Sequence, residues 1–144
     1  QDVELIFPVH PNPSVRAVVE AEFTGAERIH CIEPLEYADF LHLLSRAWLV
    51  ASDSGGIQEE APSLGKPLLV LRDTTERPEV IDCGVGRLVG HSGERLEEML
   101  EAAFIDELWF DVVSAAENPF GKGDAGEKIA SAIARFLAVS EKGV

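Results

Sequence analysis

Cysteine, methionine, tyrosine and tryptophan are all scarce in this chain, at two, one, one and two residues. Cys31 lies in an apolar stretch and Cys83 just before a glycine, with no metal or redox spacing. That excludes a disulfide-stapled scaffold and makes reduced thiols in a cytoplasmic setting the expectation. Bases are few as well. The 12 Lys and Arg stand against 26 Asp and Glu, a net charge of −14, which argues against nucleic acid or an anionic membrane surface as a partner. No apolar run approaches the roughly 18 residues of a membrane span, and no charged-then-apolar leader opens the sequence. His30, His42 and His91 have no Cys, Asp or Glu at ligand spacing, so no metal is expected.

What is present is enough apolar material for one substantial core: 144 residues, 46% hydrophobic, the size of a single domain. Residues 3–9 form a run of strand length, after which Asn12-Pro13 supplies an N-cap and a proline for the first helical turn. Val15, Val18, Val19 and Phe23 recur at helical spacing up to a Thr24-Gly25 stop. Residues 28–32 read as the next strand. Tyr37, Phe40, Leu41, Leu44 and Trp48 then share one helical face, and residues 49–52 are extended. Further short strands are expected at 68–71 and 86–89, with a helical turn near 79–83 between them. Leu96, Met99, Leu100, Ala103 and Phe104 make a helical stripe; Ile129, Ile133, Phe136 and Leu137 make another, behind an Asp124 and Glu127 capping pair. Short apolar strands alternating with amphipathic helices predict an α/β fold, a three-layer Rossmann-like domain with a parallel sheet. The acid is uneven. Residues 93–117 hold eight carboxylates and one base, Arg95, whereas residues 66–87 hold four of each sign, so an anion meets least repulsion near the second segment.

That second segment adjoins the most informative run, Asp53-Ser54-Gly55-Gly56-Ile57-Gln58-Glu59-Glu60-Ala61-Pro62-Ser63-Leu64-Gly65-Lys66-Pro67, with Arg72-Asp73-Thr74-Thr75-Glu76-Arg77-Pro78-Glu79 after the next apolar stretch. A strand, a glycine turn, a helix start and an arginine loop are what a site needs to hold a sugar nucleotide by diphosphate and ribose. Gly55 and Gly56 allow positive φ and close ligand approach, and the N–H groups of the following helix end attract phosphate. The same turn also serves as a plain strand-to-helix connection. Glu60, one helical turn past Gly56, is placed to accept bonds from vicinal hydroxyls, whereas Glu59 points elsewhere; an acidic pair is equally a solvated helix face. Arg72 and Arg77 suit phosphate, or else pair with Asp73, Glu76 or Glu79 and fix the loop. His10, ending the first strand, can donate to phosphate or shuttle a proton, or be a packed, hydrogen-bonded side chain.

These stretches, with Val9-His10-Pro11-Asn12-Pro13 and Asn118-Pro119-Phe120-Gly121, resemble in order the UDP-N-acetylglucosamine 2-epimerase family over about residues 7–128. The resemblance implies two facing α/β domains of the glycosyltransferase-B type, of which residues 1–144 would form one UDP-binding C-terminal domain. The N-terminal domain, the first part of this domain and the family's His-Arg-Arg-Glu segment would then lie outside the sequence, and the final helix would pack on the N-terminal domain. It assigns Ser54, Gly55 and Gly56 to the diphosphate, Glu60 to ribose and Arg77 to the ligand, with Arg72 orienting the loop or facing the diphosphate. Tyr37 and Phe40 match positions around the uracil ring, Phe40 as the contact and the Leu35 backbone as a hydrogen-bond partner, although aromatics at this spacing also serve as core.

The implied activity is reversible conversion of UDP-N-acetylglucosamine to UDP-N-acetylmannosamine by elimination of UDP and re-addition, without a cofactor. A homodimeric parent is implied too. Because the family's proton-transfer carboxylates lie in the other domain, this chain is expected to bind UDP and UDP-N-acetylhexosamine without turnover. A hydrolysing epimerase that releases UDP and N-acetylmannosamine, a glycosyltransferase, and a non-catalytic nucleotide-sugar-binding domain stay open as alternatives; the 72–79 signature argues against the glycosyltransferase.

Overall fold

The computed structural model describes residues 3–140, in two compact units, one up to Leu43 and one from Leu44 onward. In the first unit β1 (Leu5–Pro8), α1 (Pro13–Phe23) and β2 (Ile29–Ile32) form a βαβ element. The two strands pair in parallel, Leu5 opposite Ile29 through Pro8 opposite Ile32. Asn12 starts α1 as its residue type predicts: its side chain accepts the Ser14 N–H at 2.9 Å, and Pro13 occupies a first-turn position where no N–H is missed. Gly25, at φ 85°, takes the left-handed conformation that ends the helix. Phe7 and Phe23 meet edge to face at 6.3 Å. The next helix, α2 (Tyr37–Arg46), runs across the division between the units.

The second unit holds β3 (Val50–Ser52), α3 (Gly55–Leu64), β4 (Leu68–Val70), α4 (Pro78–Asp82) and β5 (Gly86–Leu88). Its strands are all parallel, in the order β3-β4-β5, with Val50 opposite Leu68 and Leu68 opposite Gly86. Leu68, Leu69 and Val70 are 0% exposed, which is why the middle strand reads as an unbroken apolar run rather than an alternation. Gly65, at φ 61°, caps α3 and returns its N–H to Ala61 and Pro62 carbonyls. Parallel strands joined through helices in both units place the chain in the α/β class, as expected.

Three sequence expectations change. Trp48 is not on the α2 face, because α2 ends at Arg46; its ring instead stacks on Phe104 at 4.7 Å and Phe110 at 5.4 Å. Phe110 belongs to an unforeseen helix, α6 (Glu107–Ala115), which follows α5 (Gly93–Ala103). Asp106 caps α6 by accepting the Trp109 N–H at 3.0 Å, and buried Trp109 donates to the Gly84 carbonyl at 2.9 Å. Asp124 precedes the final helix, α7 (Ala125–Ser140), but its carboxylate pairs with Lys128 at 2.8 Å instead of completing a capping pair with Glu127. Ile129, Ile133, Phe136 and Leu137 are exposed along α7. No helix among the described residues is long and apolar enough to cross a membrane.

Candidate functional site

Because β3 and β4 are adjacent and parallel, their C-terminal ends lie side by side, and the two segments leaving them become neighbours. The Leu71 N–H donates to the Ser52 carbonyl at 3.0 Å and carries the pairing to the edge of the ladder. From that edge one segment turns through Asp53-Ser54 into α3, and the other runs through residues 72–77 into α4. Open parallel sheets bind ligands at this edge.

Ser54 is the N-cap residue of α3, extended at φ −72° and ψ 130°, yet its hydroxyl makes no capping bond. Its own N–H donates to Ser52 Oγ at 3.1 Å. The first-turn N–H groups of α3 therefore have no side-chain acceptor from their cap and keep their partial positive charge. Gly55 and Gly56 correct an expectation: both belong to α3 and neither has positive φ. Handedness thus does not explain them, and close approach is what is left. At Gly55 the approach is occupied from within, since a Cβ there would lie 2.8 Å from Glu76 Oε1. At Gly56, which is exposed, a Cβ would meet nothing nearer than Ser54 Oγ at 3.7 Å.

Both arginines of the loop carry carboxylate partners. Arg72 Nη1 donates to Glu76 Oε2. A hydrogen bond from its own backbone, together with the charges of Arg72 and Arg77, holds Glu76 below the usual carboxylate range. Arg77 Nε donates to Glu59 Oε1, a bond that raises the guanidinium's pKa further. Glu59, expected to point elsewhere, is thereby tied to the arginine loop. The side chain of Glu60, half-buried one turn past Gly56 along α3, forms no hydrogen bond or ion pair among the described residues.

Gln58 was missed by the sequence reading. Among the described residues it is the buried polar side chain of the core, 0% exposed, and it joins the two segments. Its Nε2 donates to the Ser54 carbonyl at 3.3 Å, its Oε1 accepts the Thr75 hydroxyl, and Thr75 Oγ1 accepts the Arg77 N–H at 2.9 Å. Beside this network, Arg72, Asp73, Thr74, Thr75, Glu76 and His91 line an open cavity of about 500 Å³. His91 lies 3.5 Å from Asp73. No group of three or more potential metal ligands occurs among the described residues.

Ser54, Gly55, Gly56, Glu60, Arg72 and Arg77 therefore belong to one sheet edge and the helix that leaves it. His10, Leu35 and Phe40 belong to the first unit. His10 is exposed, and its Nδ1 accepts the Asn12 N–H at 3.2 Å, so Nε2 bears the hydrogen of the neutral ring. Leu35 is exposed just ahead of α2, and Phe40 is half-buried in its first turn. Cys31 and Cys83 are free thiols.

The sequence profile described as UDP-N-acetylglucosamine 2-epimerase matches residues 1–134. The UDP-N-acetylglucosamine 2-epimerase of Escherichia coli K12 is 47% identical over 133 residues, which cover 92% of this chain and 35% of that protein. Among solved structures, S. aureus MnaA with UDP superposes at a TM-score of 0.88 with 39% identity, over 95% of this chain and 38% of that one. The UDP-GlcNAc 2-epimerase of Neisseria meningitidis bound to UDP-GlcNAc superposes at 0.86 with 41% identity, over 92% of this chain and 36% of the other. This chain spans about a third of the length of these proteins.

Proposed function

This chain belongs to the UDP-N-acetylglucosamine 2-epimerase family, and from that membership we propose that it forms the UDP-binding, C-terminal part of an enzyme interconverting UDP-N-acetylglucosamine and UDP-N-acetylmannosamine. The observation that carries the proposal is the junction at the ends of β3 and β4, where first-turn N–H groups left without a side-chain cap face a loop bearing two guanidinium groups. Helix N-termini and arginines are the donors that a diphosphate recruits.

In this assignment Ser54, Gly55 and Gly56 receive the diphosphate, Arg77 and Arg72 exchange their carboxylate partners for phosphate oxygens, and Glu60 accepts from the ribose hydroxyls. Phe40 and the Leu35 backbone take the uracil, and His10 reaches the phosphate or the reacting sugar. During elimination the bond from sugar C1 to the β-phosphate oxygen breaks and charge grows on UDP. Donors already aimed at that oxygen stabilise the charge without reorganising. The same proposal includes an N-terminal domain that supplies proton transfer, a homodimeric parent and a cytoplasmic location.

Calorimetry with UDP and with uridine tests the site. UDP is expected to bind more tightly than uridine, by about tenfold or more, given the value of hydrogen bonds to charged groups. Equal affinities would remove the diphosphate from this edge.

A further inference from the structure

We propose that Gln58 and Thr75 act as positioning residues, a part-buried hydrogen-bond relay centred on buried Gln58 that holds the arginine loop in register with the phosphate-receiving turn; the inference rests on the UDP site proposed above. Its polarity follows from the partners. The Ser54 carbonyl can only accept, so the Gln58 amide must present its NH2 there, at 3.3 Å. Gln58 Oε1 is then left to accept, and the Thr75 hydroxyl must give it its hydrogen. With that hydrogen committed, Thr75 Oγ1 offers a lone pair to the Arg77 N–H at 2.9 Å. Every step therefore has one permitted direction, from the Arg77 N–H through Thr75 and Gln58 to the Ser54 carbonyl.

The relay spans the two segments that must act on one diphosphate. Ser54 precedes the first turn of α3, and Arg77 precedes the first turn of α4. Gln58 is 0% exposed, and no buried side-chain nitrogen or oxygen among the described residues lacks a partner. A satisfied network built on a buried amide favours a single arrangement of its members. A leucine of similar size at position 58 would suit the surrounding core, so burial alone does not call for an amide there. What the amide adds is a fixed relation between Ser54 and Arg77, and small displacements of positioning groups weaken binding disproportionately.

The test uses Thr75→Val, Thr75→Ser and Gln58→Leu in this chain, with UDP and uridine affinities by calorimetry and thermal melts for each protein. Thr75→Val is nearly isosteric and removes both hydrogen bonds of the hydroxyl. It should reduce UDP affinity by about tenfold while changing uridine affinity little, because the loss falls on phosphate positioning. Thr75→Ser should restore the wild-type ratio of the two affinities, and Gln58→Leu should reproduce the loss. If the ratio survives in Thr75→Val, whatever the melting temperature does, the relay has no positioning role and the inference is wrong while the site stands. If the wild-type chain itself shows no preference for UDP, the proposed site fails, and this inference fails with it. Should Gln58→Leu not fold, the two Thr75 variants carry the test alone.

Discussion

Gly56→Ala separates the needs of the fold from those of a ligand. Gly56 lies in the first turn of α3 without positive φ, so alanine can adopt its backbone conformation. The new methyl would approach Ser54 Oγ at 3.7 Å, an ordinary contact. Nothing among the described residues therefore requires glycine, and replacing it should stabilise the chain by about 0.4–1 kcal/mol through lost freedom in the unfolded state. For a chain of this size that is a rise in melting temperature of about 1–4 °C. A methyl on the exposed side of the turn also stands where a phosphate must approach the N–H groups. UDP affinity should fall by about tenfold or more while stability rises. Gly55→Ala would not be as clean, since its methyl would have to push Glu76 away from 2.8 Å. Thermal denaturation and calorimetry on the same Gly56→Ala preparation decide the matter. A stabilised protein that binds UDP as well as wild type would show that the glycine has no ligand-related cause and would refute the phosphate assignment.

Glu60→Gln should weaken UDP and uridine alike, by about 1.5–3 kcal/mol for a charge-assisted ribose contact, because both ligands carry the ribose; calorimetry with the pair tells this from a phosphate effect. Glu76→Gln should strengthen UDP binding and leave uridine unchanged, since the carboxylate over Gly55 and the diphosphate compete for one position; a weaker UDP complex would mean that Glu76 orients Arg72 for the ligand instead. Asp106→Asn should keep the α6 cap, as an amide oxygen can still accept the Trp109 N–H, but lose the ion pair with Arg87 at 2.8 Å. The Arg87 hydrogen bond, then the Trp109 backbone, lower the Asp106 pKa in the folded chain. Its stabilisation is therefore complete above the ordinary Asp value of about 3.9 and is lost as pH falls through the depressed folded value. Chemical denaturation across pH should accordingly show wild type ahead of Asp106→Asn at neutral pH, with the gap closing in acid.

Features set by neighbours along the chain were legible in the sequence. Asn12-Pro13 marked the start of α1, Gly25 its end, and the apolar run at 68–70 a buried parallel strand. The location of the candidate site followed from the same local logic, since a strand end followed by Ser-Gly-Gly can be recognised without coordinates. Side-chain partners set by tertiary packing were not legible. Arg77 finds Glu59, 18 positions away, rather than the closer acids at 73, 76 and 79. Gln58 sits between Ile57 and Glu59, where spacing gives no sign that it is fully buried. Trp48 continues the helical spacing of α2, yet stacking on Phe104 and Phe110 claims its ring after the helix has ended. The missed helix α6 did leave a signal: Leu108, Trp109, Val112 and Val113 recur at helical spacing behind a capping Asp106. No glycine or proline separates them from α5, so the sequence carries no stop signal between the two helices.

The carboxylates on Arg72 and Arg77 bear on how fast a ligand arrives as well as on how firmly it is held. With both guanidinium groups already neutralised by Glu76 and Glu59, this edge projects little positive field into solvent, while the chain as a whole carries a net charge of −14. On the proposed assignment, an incoming nucleoside diphosphate would be repelled at long range and recognised only at contact, when its oxygens replace the carboxylates. Raising ionic strength screens that repulsion before it disturbs the short-range exchange. The association rate should thus increase with salt, opposite in sign to the behaviour of an electrostatically steered phosphate site.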